Sequence, residues 1–158
     1  MLALEATLYD ASRLFLVPVI LLILAALAFA LVSVGRFAAE AGARMAGKGG
    51  KPLTAYRQRT GCGTDDLELL IMRRLEWLRI VSRSAPMLGL VATMIPMGPA
   101  LLALGSNDGA AVGQNLVVAF SSVILALIAA SISFFVYTIR RRWLLEELRA
   151  IETAPEAA

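Results

Sequence analysis

Ala85-Pro86-Met87-Leu88-Gly89-Leu90-Val91-Ala92-Thr93-Met94-Ile95-Pro96-Met97-Gly98-Pro99 is apolar enough to sit in lipid, yet it holds a hydroxyl, two glycines and prolines at 86, 96 and 99. A helix that only anchors a protein needs none of these. Pro96 cannot donate to the carbonyl of Ala92, and Pro99 cannot donate to that of Ile95. Such breaks survive in a bilayer only where neighbouring helices, hydroxyls or water take over the freed backbone groups. The segment is therefore expected against protein and near a wet path, which points to transport.

Two more windows of the same kind flank it. Residues 14–35, 85–107 and 109–139 contain no Asp, Glu, Lys or Arg. Each exceeds the roughly 20 helical residues that cross a hydrocarbon core of about 30 Å. The whole chain of 158 residues is 59% hydrophobic, with a mean hydropathy of +0.75. That composition excludes an ordinary soluble domain and predicts a small all-α membrane protein with three transmembrane helices, two of them extended into the cytoplasm. The expected segments are 1–13 outside, 14–35 as the first span, 36–84 as a cytoplasmic loop and helix, and 85–105 as the second span. An outer loop at 106–115, a third span at 116–139 and a cytoplasmic helix and tail at 140–158 complete the chain.

Charge sets the expected orientation. Arg36, Arg44, Lys48, Lys51, Arg57, Arg59, Arg73, Arg74, Arg79 and Arg83 lie between the first two spans, and Arg140, Arg141, Arg142 and Arg149 follow the third. Only Arg13 precedes the first span, and the loop after the second has no basic residue. The positive-inside bias puts the middle segment and the C-terminus in the cytoplasm and the N-terminus outside. Tyr137 and Trp143 are placed as interfacial anchors at the cytoplasmic end of the third span. The basic residues hug membrane ends and lack interleaved aromatics, so the net charge of +3 reads as topology rather than as a nucleic-acid footprint. Ala28-Phe29-Ala30 imitates a signal-peptidase site. However, Glu5 and Asp10 precede the apolar run, which lacks a basic leader and is too long for a signal sequence. Cys62 is the single cysteine, expected as a reduced thiol with no disulfide or metal role.

Within the cytoplasmic segment, Gly47 to Pro52 punctuates the chain and residues 56–63 read as loop. A helix is expected from Thr64 or Asp65, with Asp65 as N-cap and Glu68 completing a capping arrangement. Leu67, Ile71, Leu75, Leu78 and Val81 then recur at helical spacing and lead without a break into the second span. Gly105-Ser106-Asn107-Asp108-Gly109 is the outer turn, with residues 110–115 as loop or the start of the helix. Leu144, Leu148 and Ile151 mark a cytoplasmic extension of the last helix.

The chemistry is defined first by an absence. The three windows hold no Asp, Glu, Lys, Arg or His, and the chain has no histidine at all. Proton and ion paths normally use an ionisable residue in the membrane, so conduction would need a carboxylate from a partner. Thr93 is the central hydroxyl of the second span; it either back-bonds to the Gly89 carbonyl or faces a path. Ser121 and Ser122 are polar positions of the third span, either interhelical glue or path lining. Ala119, Ser122, Ala126, Ala129 and Ser133 form a seam of small residues at steps of three and four, the spacing that lets membrane helices approach. That seam is expected to serve oligomerisation or partner docking. Gly42, Gly47 and Lys48 match a phosphate-loop spacing, but Gly49 stands where the magnesium-binding hydroxyl belongs and no strand precedes it. No nucleophile, base or metal constellation is present in the membrane, so neither an enzyme nor a cofactor is expected.

Ser84-Ala-Pro-Met-Leu-Gly-Leu-Val-Ala-Thr93 resembles the start of the second span of the MotA/TolQ/ExbB proton-channel family, in which a small-Pro-x-Leu-Gly-Leu-x-Gly-Thr pattern is typical. The small-residue run from Ala119 to Tyr137 is similar to that family's third span, and the topology resembles its TolQ/ExbB branch. The resemblance covers residues 75–142. It implies that Thr93 is the hydroxyl facing the ion path, with Pro86 and Gly89 in the opening motif. Ala92 departs from the usual glycine. The family's third-span threonine falls at Ser122 or Val123, and Ser121 or Ser122 would supply the hydroxyl if Val123 aligns. The resemblance further implies a homo-oligomer in the inner membrane, typically a pentamer, around single-span partner helices bearing a membrane aspartate. Proton entry would then drive motion of the partner. A non-conducting membrane scaffold and a stand-alone pore are the alternatives.

Overall fold

Three of the helices in this chain are long and apolar enough to cross a membrane. The computed structural model describes residues 2–47, 50, 52–61 and 63–153. Its elements are α1 (Leu2–Met45), α2 (Pro52–Thr60), α3 (Thr64–Gly105) and α4 (Gly109–Thr153), with no strand among the described residues. The three long helices have 44, 42 and 45 residues. At 1.5 Å per residue each runs to about 65 Å, twice the hydrocarbon thickness, so each must project well beyond the lipid.

The apolar stripe from Leu67 and the expected second span form one helix, α3. None of Pro86, Pro96 and Pro99 ends it. The helix tolerates the missing donors because Pro96 is buried and Pro86 and Pro99 are half-buried against the other helices.

Packing divides into two levels. At membrane level Val19 and Ile23 of α1 meet Ala92 of α3 and Ala126 of α4, with Leu88 and Leu125 against them. The second level, at the arginine-rich end, is a conventional apolar core of Leu53, Leu67, Ile71, Leu75, Leu78, Val136, Leu144, Leu148 and Ile151. Val81, the last of the stripe, is only half-buried. Outside these levels Leu14, Phe15, Leu90, Leu101, Phe120 and Phe134 are exposed, as lipid-facing side chains are.

Four local expectations need correction. Residues 56–60, expected as the first part of a loop over 56–63, are helical: α2 occupies Pro52–Thr60. Pro52 at its first position has no amide to satisfy and a pre-set φ. Glu147 of α4 accepts from the next two amides, Leu53 N at 2.9 Å and Thr54 N at 3.0 Å, and from Thr54 Oγ1 at 3.1 Å. Gly61 then stops the helix at φ +65°, a left-handed position that glycine takes without penalty.

Asp65 is not the N-cap of α3. Gly63 holds that position with extended backbone and no side-chain cap, because the helix already starts at Thr64. Asp65 and Asp66 instead lie in the first turn, where their charge favours the helix dipole.

The turn between α3 and α4 is shorter than the expected 106–115, and residues 110–115 are helix. Asn107 turns the chain at φ 60°, and Asp108 Oδ1 accepts from Ala111 N at 3.1 Å, so α4 starts at Gly109. Trp143, expected as an interfacial anchor, is engaged by protein. It stacks on Phe37 with ring centroids 5.3 Å apart, and the Arg44 guanidinium lies 4.4 Å from its ring. Tyr137 likewise packs on the core at the arginine-rich end.

Candidate ion path beside the α3–α4 seam

Ala85, Gly89, Ala92, Pro96 and Ala100 are the buried face of α3 within the membrane, and Ala119, Ser122, Ala126, Ala129, Ala130 and Ser133 are that of α4. A Cβ at Gly89 would lie 2.9 Å from Ala126 Cβ and 3.2 Å from Val123 Cγ2. Only glycine lets the two backbones come this close. The seam expected to dock another subunit is therefore consumed inside this chain. Sequence spacing shows that small residues face a helix, but not whose helix it is.

The hydroxyls divide by position. Ser122 is buried in the seam at 7% exposure and donates to Val118 O at 2.8 Å. Ser133 is fully buried and its Oγ has no partner among the described residues. Ser121 is exposed. Thr93 is half-buried and donates to Leu90 O at 2.7 Å, not to the Gly89 carbonyl. That is a bond to i−3, which leaves the hydroxyl oxygen able to accept.

The flank on which Thr93 sits follows from helix geometry. Leu88 and Leu125 pack with Val19 and Ile23 of α1, so they mark the α1 side of α3 and α4. At roughly 100° per residue Thr93 lies about 140° from Leu88, and Val123 about 200° from Leu125. Thr93 and Val123 therefore share the flank of the seam that faces away from α1, and Pro86 is half-buried on the same side. Val123 occupies the third-span position that opens to this flank, whereas Ser122 points into the seam and Ser121 lies roughly 160° away from Val123.

Two contacts at the arginine-rich end have no local sequence signature. Arg140 forms a bidentate pair with Glu40, Nε–Oε2 at 3.1 Å and Nη2–Oε1 at 2.5 Å, which ties α4 to α1. Glu147 ties α4 to α2 as described. Their partners are 93 to 100 residues apart in the chain, beyond the reach of any periodicity.

The flank contains no titratable group. It can orient water or an ion through one hydroxyl, and it cannot relay a proton by exchange. No group of His, Cys, Asp and Glu among the described residues could hold a metal.

Residues 35–153 match the MotA/TolQ/ExbB proton channel family, about three quarters of the chain. A match of that extent, joined to three membrane-crossing helices, makes this chain a multi-pass membrane protein that belongs to the MotA/TolQ/ExbB proton channel family. The match starts at Gly35, so almost all of the first span lies outside it. No curated protein and no solved structure matches the chain. The family is of the channel and transport type and works with partner proteins.

Proposed function

We propose that this chain is the channel subunit of an ion-driven motor complex in the inner membrane. Several copies, five by family pattern, surround single-span partner helices, and each copy turns the Thr93/Val123 flank toward them. The partner carries the aspartate that takes up and releases the proton, and its motion is the output. One observation carries this reading: Thr93 places a hydroxyl on the flank beside the glycine seam, and all three spans lack Asp, Glu, Lys, Arg and His. A path with a hydroxyl and no acid is half of a proton channel. The TolQ/ExbB-like branch fits three spans with a large cytoplasmic segment, and no enzymatic chemistry is proposed.

Proton flux in liposomes tests the division of labour. The chain reconstituted with a single-span partner bearing a membrane aspartate should conduct, and the chain alone should not. Equal flux from the chain alone would reject the need for an external acid and make it a stand-alone pore. A second reading, a scaffold that assembles a partner and conducts nothing, is favoured by Val123, which leaves the third span without a hydroxyl on the flank. Partner retention with no flux in the complex would select it.

Orientation is tested separately. Arg57 is exposed on α2. With Cys62→Ser as background, Arg57→Cys should stay unlabelled by an impermeant thiol reagent added to intact cells and react after lysis. Labelling from outside would invert the topology.

A further inference from the structure

Where the four helices meet at the cytoplasmic end there is a cleft of about 730 Å³. This is the size of pockets that enclose drug-sized molecules. Two helices fix its depth independently. Arg36 is the first charge after the uncharged run of α1, and Arg140 is the first after that of α4; both line the cleft. Its mouth is thus level with the phosphate layer of one leaflet. Toward the membrane centre the wall includes the apolar Phe29 and Val32 of α1.

The charge is one-sided. Arg36, Arg44, Arg74 and Arg140 line it against the single acid Glu40 among the described lining residues. Glu40 is committed to Arg140, and Arg44 sits over Trp143. Arg36 and Arg74 form no ion pair among the described residues. Guanidinium forks without a carboxylate, at headgroup depth and beneath an apolar wall, match a phosphodiester with an acyl chain above it.

We propose that this cleft seats one anionic phospholipid of the cytoplasmic leaflet, its phosphate between Arg36 and Arg74 and one acyl chain along Phe29 and Val32. The assignment of the leaflet rests on the orientation proposed above. The bound lipid would wedge α1 against the α3–α4 pair, to which α1 is joined at this level by Glu40–Arg140, the Phe37–Trp143 stack and Arg44 over Trp143.

The test is lipid retention by the full-length protein in nanodiscs of mixed phosphatidylglycerol and phosphatidylcholine, read by native mass spectrometry. The wild-type chain should retain phosphatidylglycerol about tenfold over phosphatidylcholine. Arg36→Gln with Arg74→Gln should remove that preference, and Arg57→Gln, outside the cleft, should keep it. Val32→Trp fills the acyl side without touching charge and should also displace the lipid, which separates loss of the site from loss of charge. Unchanged retention by the double arginine variant overturns the proposal. So does displacement of the lipid by millimolar inorganic phosphate, which would make this a free-anion site. A photocrosslinker at Ala55 that captures a second copy of the chain instead of phosphatidylglycerol overturns it as well. Nanodisc binding reads neither conduction nor orientation, so failure of the channel reading leaves these outcomes intact.

Discussion

Ala126→Leu should destroy the folded subunit rather than weaken an oligomer. Ala126 is fully buried between Ala92, Val19 and Ile23, and its Cβ lies 2.9 Å from where a Cβ on Gly89 would stand. A leucine has no space there, and overpacking of this kind costs about 1–3 kcal/mol or more. In a membrane the loss weighs heavily, because helix association rests on close backbone packing without a hydrophobic drive between helices. The expected result is a lower melting temperature in detergent and loss of the native elution position. Gly89→Ala should act in the same direction and be recovered by Ala126→Gly, since the pair exchanges one methyl across the same gap. An Ala126→Leu protein with native melting temperature and size would mean that the seam is open to lipid.

Thr93→Val should leave the fold intact and reduce ion-driven activity at least tenfold. The substitution keeps shape and removes a hydroxyl whose only bond is to Leu90 O of its own helix. Intramembrane hydrogen bonds average about 0.6 kcal/mol, so stability should barely move. On the proposed path the same hydroxyl orders water next to the partner's carboxylate, and nothing else on that flank can replace it. Proton flux through the assembled complex is the measurement. Assembly with normal flux would remove Thr93 from the path; failed assembly would give it a packing role instead.

What could be read in advance follows the range of the interactions. The seam residues Ala119, Ser122, Ala126, Ala129 and Ser133 and the stripe Leu67, Ile71, Leu75 and Leu78 are periodic, and periodicity is local; all are buried. The helix α2 was hidden because its polar sequence, Pro52–Thr60, becomes helical through a carboxylate from the far end of the chain. The N-cap at Gly63 was missed by two residues because Asp65 is the stronger cap by residue type, but the helix had already begun. The third-span position on the open flank could not be chosen between Ser122 and Val123 from spacing alone. Which of the two lies on the flank away from α1 depends on the side on which α1 packs, and Leu88 and Leu125 pack against the cluster that holds Val19 and Ile23 of α1. The ion pair Glu40–Arg140 joins the spans at 1 and 3, and no window of sequence contains both.

The hold of Glu147 on α2 also has a consequence for the order of events at the ribosome. Leu53 and Thr54 emerge 93 to 94 residues before the carboxylate that caps them. At about 5–20 residues per second, α2 waits roughly 5–20 s for its cap. During that interval its first amides have only water, and a helix this short is marginal by itself. The connection between the first and second spans is therefore made early and finished last. It locks only when the end of α4 that carries Glu147 has reached the same side as α2, so a folded α2 is a built-in report that all three spans are in place.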